Sequence, residues 1–349
     1  PRRILVIKLS ALGDTLLMVP ALRELRRRYP GAEIGMVGTA VNRDIALELP
    51  RFIDRFFCLD PGRAMRDPRY LLGFVRELAR EGWELGIDFD QWTNVTPLLL
   101  RMARVPVRIG FRTPARFRHL LYTHTEPRDP RSHEAENFLR LLRPLGIEPP
   151  APVLELDVRP EAEARVRGLL REAGWNGADP LLVIHPGCGH AHPRAWPAER
   201  YRELTMRLAA EGSTFFVFTG AGSEAPMAES LAASVPGRAA ALTRLSIPEF
   251  VACISLGDLV LSGNTGAMHI AAALGRAQVF LEGPNDPAKW GPINPRAVGV
   301  FSTCPGCPCL DMGWEFHRTD GFCMEQIPVD EVHEVVTREL MGRVLSPES

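Results

Sequence analysis

"ILVIKLSALGDTLLMVPAL", residues 4–22, decides the fold class. The apolar run Ile4–Ile7 reads as a buried strand. Small residues with a glycine and an acid follow, and then apolar residues at helical spacing. A short buried strand feeding a helix is the opening of a parallel α/β sheet. The turn itself poses a question. A dinucleotide-binding turn needs glycines, so that phosphate meets bare backbone, and an acid there repels it. Asp14 is therefore either a helix cap or a group that does chemistry.

The alternation continues outward from this stretch. Strand-like "AEIGMVG", "DRFFCLD", "ELGIDFD" and "VRIGF" are separated by the helical patterns "NRDIALELP", "PRYLLGFVRELAREGW" and "TNVTPLLLRMARV". Residues 112–133 are rich in arginine and histidine without clear period, ahead of the helix "SHEAENFLRLLRPLG". Proline density in "PPAPVLELDVRP", 149–160, marks a linker. A second series then begins with "DPLLVIHPG", "TFFVFTG", "DLVLSG" and "AQVFLEG", interleaved with helices, and ends in the amphipathic "VDEVHEVVTRELMGRVL". Strands alternating with helices on this scale specify two parallel sheets in tandem, and ligands bind such sheets at the carboxyl ends of their strands.

Composition removes several function classes. The 349 residues are 46% hydrophobic and 24% charged, with formal net charge −1, so no global field recruits nucleic acid or a membrane surface. Lysine occurs only at Lys8 and Lys289, and the other 39 basic residues are arginine, which fits a GC-rich coding bias. No apolar run approaches the roughly 18–20 residues that span a bilayer, and the segment ending at Lys8 is short for a signal-peptide core of about 7–15. The expected location is cytoplasmic. Seven cysteines, an odd number, argue against a disulfide framework.

Three strand-end turns could hold an anion. In "LSGNTGAMHIAAALG", 261–275, Asn264 and Thr265 lead into a helix at Gly266, whose free N–H groups and dipole favour phosphate; a capped turn is the plainer reading. His269 lies one turn further in. In "VIHPGCGHAHPRAWP", 183–197, Gly187 and Cys188 sit in a small-residue turn ahead of Arg194, a combination suited to a diphosphate. In "FTGAGSEAP", 218–226, Glu224 is placed to accept from ribose hydroxyls, or simply to complement a helix dipole. Arg112, Arg116, Arg118, Arg128 and Arg131 form a basic stretch that could pair with an acidic acceptor, or merely be solvated. Cys304, Cys307, Cys309 and Cys323, with His317 between, depart from the spacing of a standard zinc knuckle; they are read as ordinary thiols, with a tetrahedral metal site as the alternative.

Taken in order, "ILVIKLSALGDTLLMVPALRELRRRYP", "HPG…RAWPAERYREL", "TGAMHIAAALG", "GPNDPAKWGP" and "CMEQIPVDEV" resemble glycosyltransferase family 9, the bacterial ADP-heptose heptosyltransferases of the lipopolysaccharide inner core. The resemblance covers nearly the whole chain. It implies a GT-B fold, with two Rossmann-like doubly wound domains facing across a cleft: an acceptor domain over 1–155, a nucleotide-sugar domain over 156–328, and a last helix, 329–349, returning to the first. It implies an inverting transfer with Asp14 as general base, no cofactor, and an ADP-sugar as donor substrate. Ser10, Gly13, Gly187, Cys188, Arg194, Asn264, Thr265, Gly266, Met268 and His269 would bind the donor, Glu224 its ribose, and Leu242 and Leu245 its adenine. The acceptor would be a glycolipid or glycan at the inner face of the membrane, with no nucleic-acid partner. One departure stands out, since the family commonly carries aspartate where this chain has Asn264. Two other readings stay open: an NAD(P) oxidoreductase, which lacks G-x-G-x-x-G after the first strand, and a nucleotide-sugar-binding protein without catalysis.

Overall fold

The computed structural model describes residues 1–113, 116–189, 194–310 and 322–344. It divides into two compact units, Pro1–Leu154 and the remainder from Glu155. In the first unit the strands are β1 Arg3–Ile7, β2 Glu33–Gly38, β3 Arg55–Cys58, β4 Leu85–Asp88, β5 Val107–Arg112 and β6 His124–Pro127. They form one sheet in the order β3-β2-β1-β4-β5-β6, and every neighbouring pair is parallel. Ile4, for example, lies opposite Ile34 on one side and Leu85 on the other. Ile4, Leu5, Val6 and Ile7 are all fully buried, because β1 is central and helices cover both faces.

In the second unit the strands are β7 Leu181–His185, β8 Phe215–Thr219, β9 Ala239–Leu242, β10 Leu259–Gly263, β11 Gln278–Glu282 and β12 Ala297–Phe301. Their order, β12-β11-β10-β7-β8-β9, repeats the first sheet's pattern. Each sheet is therefore doubly wound, and each reverses direction once: between β1 and β4, and between β7 and β10.

Two local features differ from the expectation. The first long helical pattern is broken into Leu12–Leu17 and Val19–Arg28, with Pro20 in the opening turn of the second helix, where a missing N–H costs nothing. The last helix, Val329–Val344, is expected to return to the first unit. Its Val329, Val332, Val336 and Leu340 instead pack with Trp196, Leu204 and Val279 in the core of the second. Trp196 Nε1 donates to the Ile327 carbonyl (3.1 Å) at the start of that helix, and the His333 ring lies 3.0 Å from Glu211. The apolar face of the helix thus finds its partners within the unit it follows in sequence.

Candidate active site

In the first unit, the residues just past β1 and β4 form a buried polar cluster at the reversal point. Lys8 Nζ lies 2.8 Å from Asp14 Oδ2 and donates to Gln91 Oε1 at 3.0 Å. Gln91 Nε2 donates in turn to Glu134, whose carboxylate is gripped by Arg128 (Nη2–Oε2 2.6 Å). The Arg128 guanidinium covers the Trp92 ring. Asp90 accepts from the backbone N–H groups of Trp92 (3.1 Å) and Thr93 (3.0 Å). Asp14 occupies the first turn of the helix Leu12–Leu17, but the cap position belongs to Ala11, and the Asp14 carboxylate is committed to Lys8.

The electrostatics follow from crowding three acids around one lysine. Burial disfavours the Lys8 charge, but Asp14, Asp90 and Glu134 outweigh it and hold the ammonium above its ordinary range. Burial pushes the Asp14 carboxyl up; Lys8 pulls it down, and Glu134 and Asp90 add to the rise. Asp90 is buried too, yet Lys8 and its two backbone donors keep it low. The side chain of Asp14 is 24% exposed against 3% for Lys8, so the carboxylate is the member of the pair that meets solvent. A carboxylate with a raised proton affinity, fixed by a buried cation and open on one side, is equipped to take a proton.

The basic stretch separates into two kinds of arginine. Arg112, Arg116 and Arg131 are exposed. Arg128 is spent on Glu134. Arg118, read as an acceptor contact, is instead fully buried: its Nη2 lies 2.8 Å from Asp88 Oδ2 and bonds Tyr122 Oη (2.8 Å) and Thr96 Oγ1 (3.3 Å). Tyr122 also donates to Asp88 at 2.5 Å. Burial raises the Asp88 carboxyl to about 6 even beside this cation. An enclosed, paired guanidinium cannot reach a soluble acceptor, so Arg118 belongs to the core.

In the second unit the expected donor residues fall along the carboxyl edge of the sheet in strand order. Asn264, Thr265 and Gly266 follow β10, Gly187 and Cys188 follow β7, Glu224 follows β8, and Leu242 ends β9 with Leu245 just beyond. The β10–β7 reversal point thus lies at the end where phosphate is expected. Arg194 enters beside it, its carbonyl 3.6 Å from where a Cβ on Gly263 would stand, and its charge is felt by Cys188. The helix Gly266–Ala273 carries Met268 and His269 inside the core, so Met268 can meet a ligand only through its backbone N–H in the first turn. The Thr265 hydroxyl at that helix start is buried without a hydrogen-bond partner among the described residues.

Two details refine this arrangement. Glu224 Oε1 accepts from Gly189 N at 2.7 Å, and its carboxyl packs on Gly187 so closely that a Cβ there would fall 2.2 Å from Cδ. Glycine is required at 187 for that approach. Asn264, where the family commonly has an acid, is buried and donates through Nδ2 to Glu282 Oε2 at 2.5 Å. Burial lifts the Glu282 carboxyl to about 7, although Asn264 and the N–H groups of Asn285 and Gly283 draw it down. The cysteines Cys304, Cys307, Cys309 and Cys323 also converge, while His317 lies outside the described residues.

The profile of Glycosyltransferase family 9 (heptosyltransferase) matches residues 71–318, most of the chain. The protein belongs to glycosyltransferase family 9. Among curated relatives of this glycosyltransferase, lipopolysaccharide heptosyltransferase 2 of Salmonella typhimurium is 26% identical, covering 97% of this chain and 99% of its own length. Lipopolysaccharide heptosyltransferase 1 of Pseudomonas aeruginosa is 27% identical over 91% and 89%. Two solved structures share the fold at 20% identity: the family 9 enzyme of Veillonella parvula (TM-score 0.83, 98% of each chain) and ADP-heptose lps heptosyltransferase II of E. coli (TM-score 0.79, 98% and 99%). The tandem of doubly wound units is therefore the GT-B fold, as the family 9 resemblance implied. Among the described residues no helix is long and apolar enough to cross a membrane.

Several members of both clusters escaped the sequence reading. Lys8, Asp90, Gln91 and Glu134 accompany Asp14, and Glu282 accompanies Asn264. One signal was available: Lys8 is one of only two lysines and directly follows the first strand.

Proposed function

We propose that this family 9 glycosyltransferase moves a heptose from ADP-heptose, with inversion, to a hydroxyl of an acidic lipopolysaccharide inner-core acceptor presented at the cytoplasmic face of the membrane. The names of its relatives support the donor and acceptor classes. The observation that carries the mechanism is the Asp14 carboxylate, held 2.8 Å from buried Lys8 with its own proton affinity raised. Asp14 accepts the acceptor's hydroxyl proton as that oxygen bonds to the anomeric carbon. The bond from that carbon to the diphosphate oxygen breaks, and ADP leaves with the electron pair. Arg194 and the first-turn N–H groups of the helix at Gly266 meet the charge that grows on the diphosphate.

The strand order supplies a ruler for the donor. From β10 to β9 is three inter-strand steps, about 14 Å. Diphosphate at the β10–β7 reversal, ribose near Glu224 and adenine near Leu242 and Leu245 fill that length in sequence. Exposed Arg112, Arg116 and Arg131 receive the acceptor's anionic groups. Asn264 acts by fixing Glu282 rather than by touching the sugar.

Asp14→Asn tests the assignment. The variant keeps its fold and ADP affinity, and transfer falls by about 10²–10⁴-fold. Full transfer activity in that variant would return Asp14 to a structural role.

A further inference from the structure

The helix Val95–Met102 in the first unit turns an apolar face outward. Its Thr96, Pro97, Leu99 and Leu100 are buried, while Val95, Leu98, Arg101 and Met102 are exposed, so three of the four outward side chains are apolar. Val95, Leu98 and Met102 stand at i, i+3 and i+7 and form one stripe. The 3₁₀ turn Arg118–Leu121 adjoins this helix, tied to it by Arg118 Nη2 on Thr96 Oγ1 (3.3 Å). Leu120 within the turn and Phe117 just before it are 73% and 69% exposed. Two adjoining elements thus expose five large apolar side chains, and a grouped apolar surface, unlike a single exposed leucine, calls for a partner.

Phe117 is held in place by its neighbour. Its φ of 56° is left-handed, a conformation rare for a bulky residue. Arg118, next in the chain, is locked beneath the surface to Asp88 (2.8 Å) and Tyr122 (2.8 Å). A buried anchor therefore sustains a strained backbone whose product is an aromatic ring in solvent. The charge around this face has one sign. Residues 91–125 contain six arginines and no aspartate or glutamate, although the whole chain is almost neutral. Arg101, Arg104, Arg112 and Arg116 are exposed, and none of the four makes an ion pair among the described residues. The even balance of the chain conceals a local positive field beside an apolar surface.

We propose that this face docks on an anionic phospholipid leaflet. Val95, Leu98, Met102, Phe117 and Leu120 enter the boundary between headgroups and acyl chains, and the exposed arginines meet lipid phosphates. A second copy of the chain is the poorer occupant, because pairing the face with itself sets arginine against arginine. Arg118 reaches Asp88, the last residue of β4, so the face adjoins the carboxyl edge of the first sheet, where Asp14 follows β1. Docking would bring a membrane-borne acceptor to that edge. This link to the acceptor rests on the proposed function; lipid binding does not.

The test floats the full chain with vesicles of phosphatidylcholine, alone or mixed with phosphatidylglycerol. The protein should rise with the anionic vesicles and not with the neutral ones, and added salt should weaken its binding. Phe117→Ser/Leu120→Ser should lower vesicle affinity by about tenfold or more, and Arg101→Gln/Arg104→Gln by about fivefold per charge, both with ADP affinity unchanged. Phe117→Trp preserves the face, and its added fluorescence should be quenched by brominated acyl chains, which decides the matter if the serine variant does not fold. No flotation of the parent with anionic vesicles, equal flotation with neutral ones, or an unquenched Phe117→Trp variant overturns the docking. So does a parent dimer that Phe117→Ser/Leu120→Ser converts to a monomer, since the face then belongs to a second copy. Vesicle binding by a chain that transfers no sugar overturns the proposed function and leaves the docking standing. Unaltered transfer to a bilayer-borne acceptor in a serine variant that no longer floats overturns only the link.

Discussion

Asn264→Asp installs the acid that the family 9 resemblance leads one to expect at a proposed donor position, and the structure sets its cost. Asn264 gives a hydrogen to Glu282 at 2.5 Å inside a closed environment. Aspartate offers only an acceptor there, so two carboxylates face each other. Glu282 is already displaced from 4.5 to about 7, which corresponds to about 3 kcal/mol favouring its neutral form in the folded state. The sign follows: that contribution is complete below about pH 4.5 and is lost as pH rises through about 7. In the variant a neutral Glu282 can donate its proton to the new carboxylate in acid, so the two carboxyls titrate as a pair. At pH 5 we expect a loss near 1 kcal/mol. At pH 8 the parent's Glu282 has released its proton, whereas the variant pair must either retain one or set two buried carboxylates against each other, and the loss should reach about 3–5 kcal/mol. For a unit of this size that is roughly 6–20 °C in Tm. Differential scanning calorimetry of the full-length variant and parent at the two pH values measures the gap. A gap independent of pH would refute the Asn264–Glu282 argument.

Lys8→Met removes the cation that draws the Asp14 proton affinity down, so with Asp14 as the proposed base the acid limb of the kcat–pH profile should move up by about 1–2 pH units, and an unmoved limb would detach Lys8 from that role. Arg118→Ala strands Asp88 in the core and should cost about 3–5 kcal/mol in urea unfolding, while Arg112→Ala should raise acceptor KM and leave stability intact; the reverse pattern would restore Arg118 to acceptor binding. Gly187→Ala forces the Glu224 carboxyl off the turn and breaks its bond with Gly189, so ADP affinity by calorimetric titration should fall by about tenfold, and an unchanged Kd would move the donor elsewhere.

What the sequence revealed and what it hid have a common physical cause. β1, β2, β4, β7, β8, β10 and β11 carry near-continuous apolar runs because neighbours and helices enclose them. The strands it did not reveal, β6, β9 and β12, are all at sheet edges, where "HTEP", "AAAL" and "AVGVF" are only partly enclosed and need no such run. Site residues divide in the same way. Asp14, Gly187, Asn264 and Gly266 sit at turns whose local pattern announces them. Glu134 and Glu282 become partners only when the sheet folds, across 43 residues to Gln91 and 18 to Asn264. Arg118 resembled its neighbours in sequence, because nothing nearby announces Asp88, 30 residues away.

The scarcity of lysine gives the molecule its own clock. Amine-acylating reagents find two side chains in the whole chain, and Lys8 is sealed beneath Asp14 while Lys289 is partly open. Lys289 therefore reports the reagent's activity, and Lys8 reports only those moments when the polar cluster of the first unit comes apart. Their ratio reads the opening free energy of the first unit's polar cluster directly, as amide exchange does for a backbone, but with a single chemical mark placed on the cation paired with Asp14.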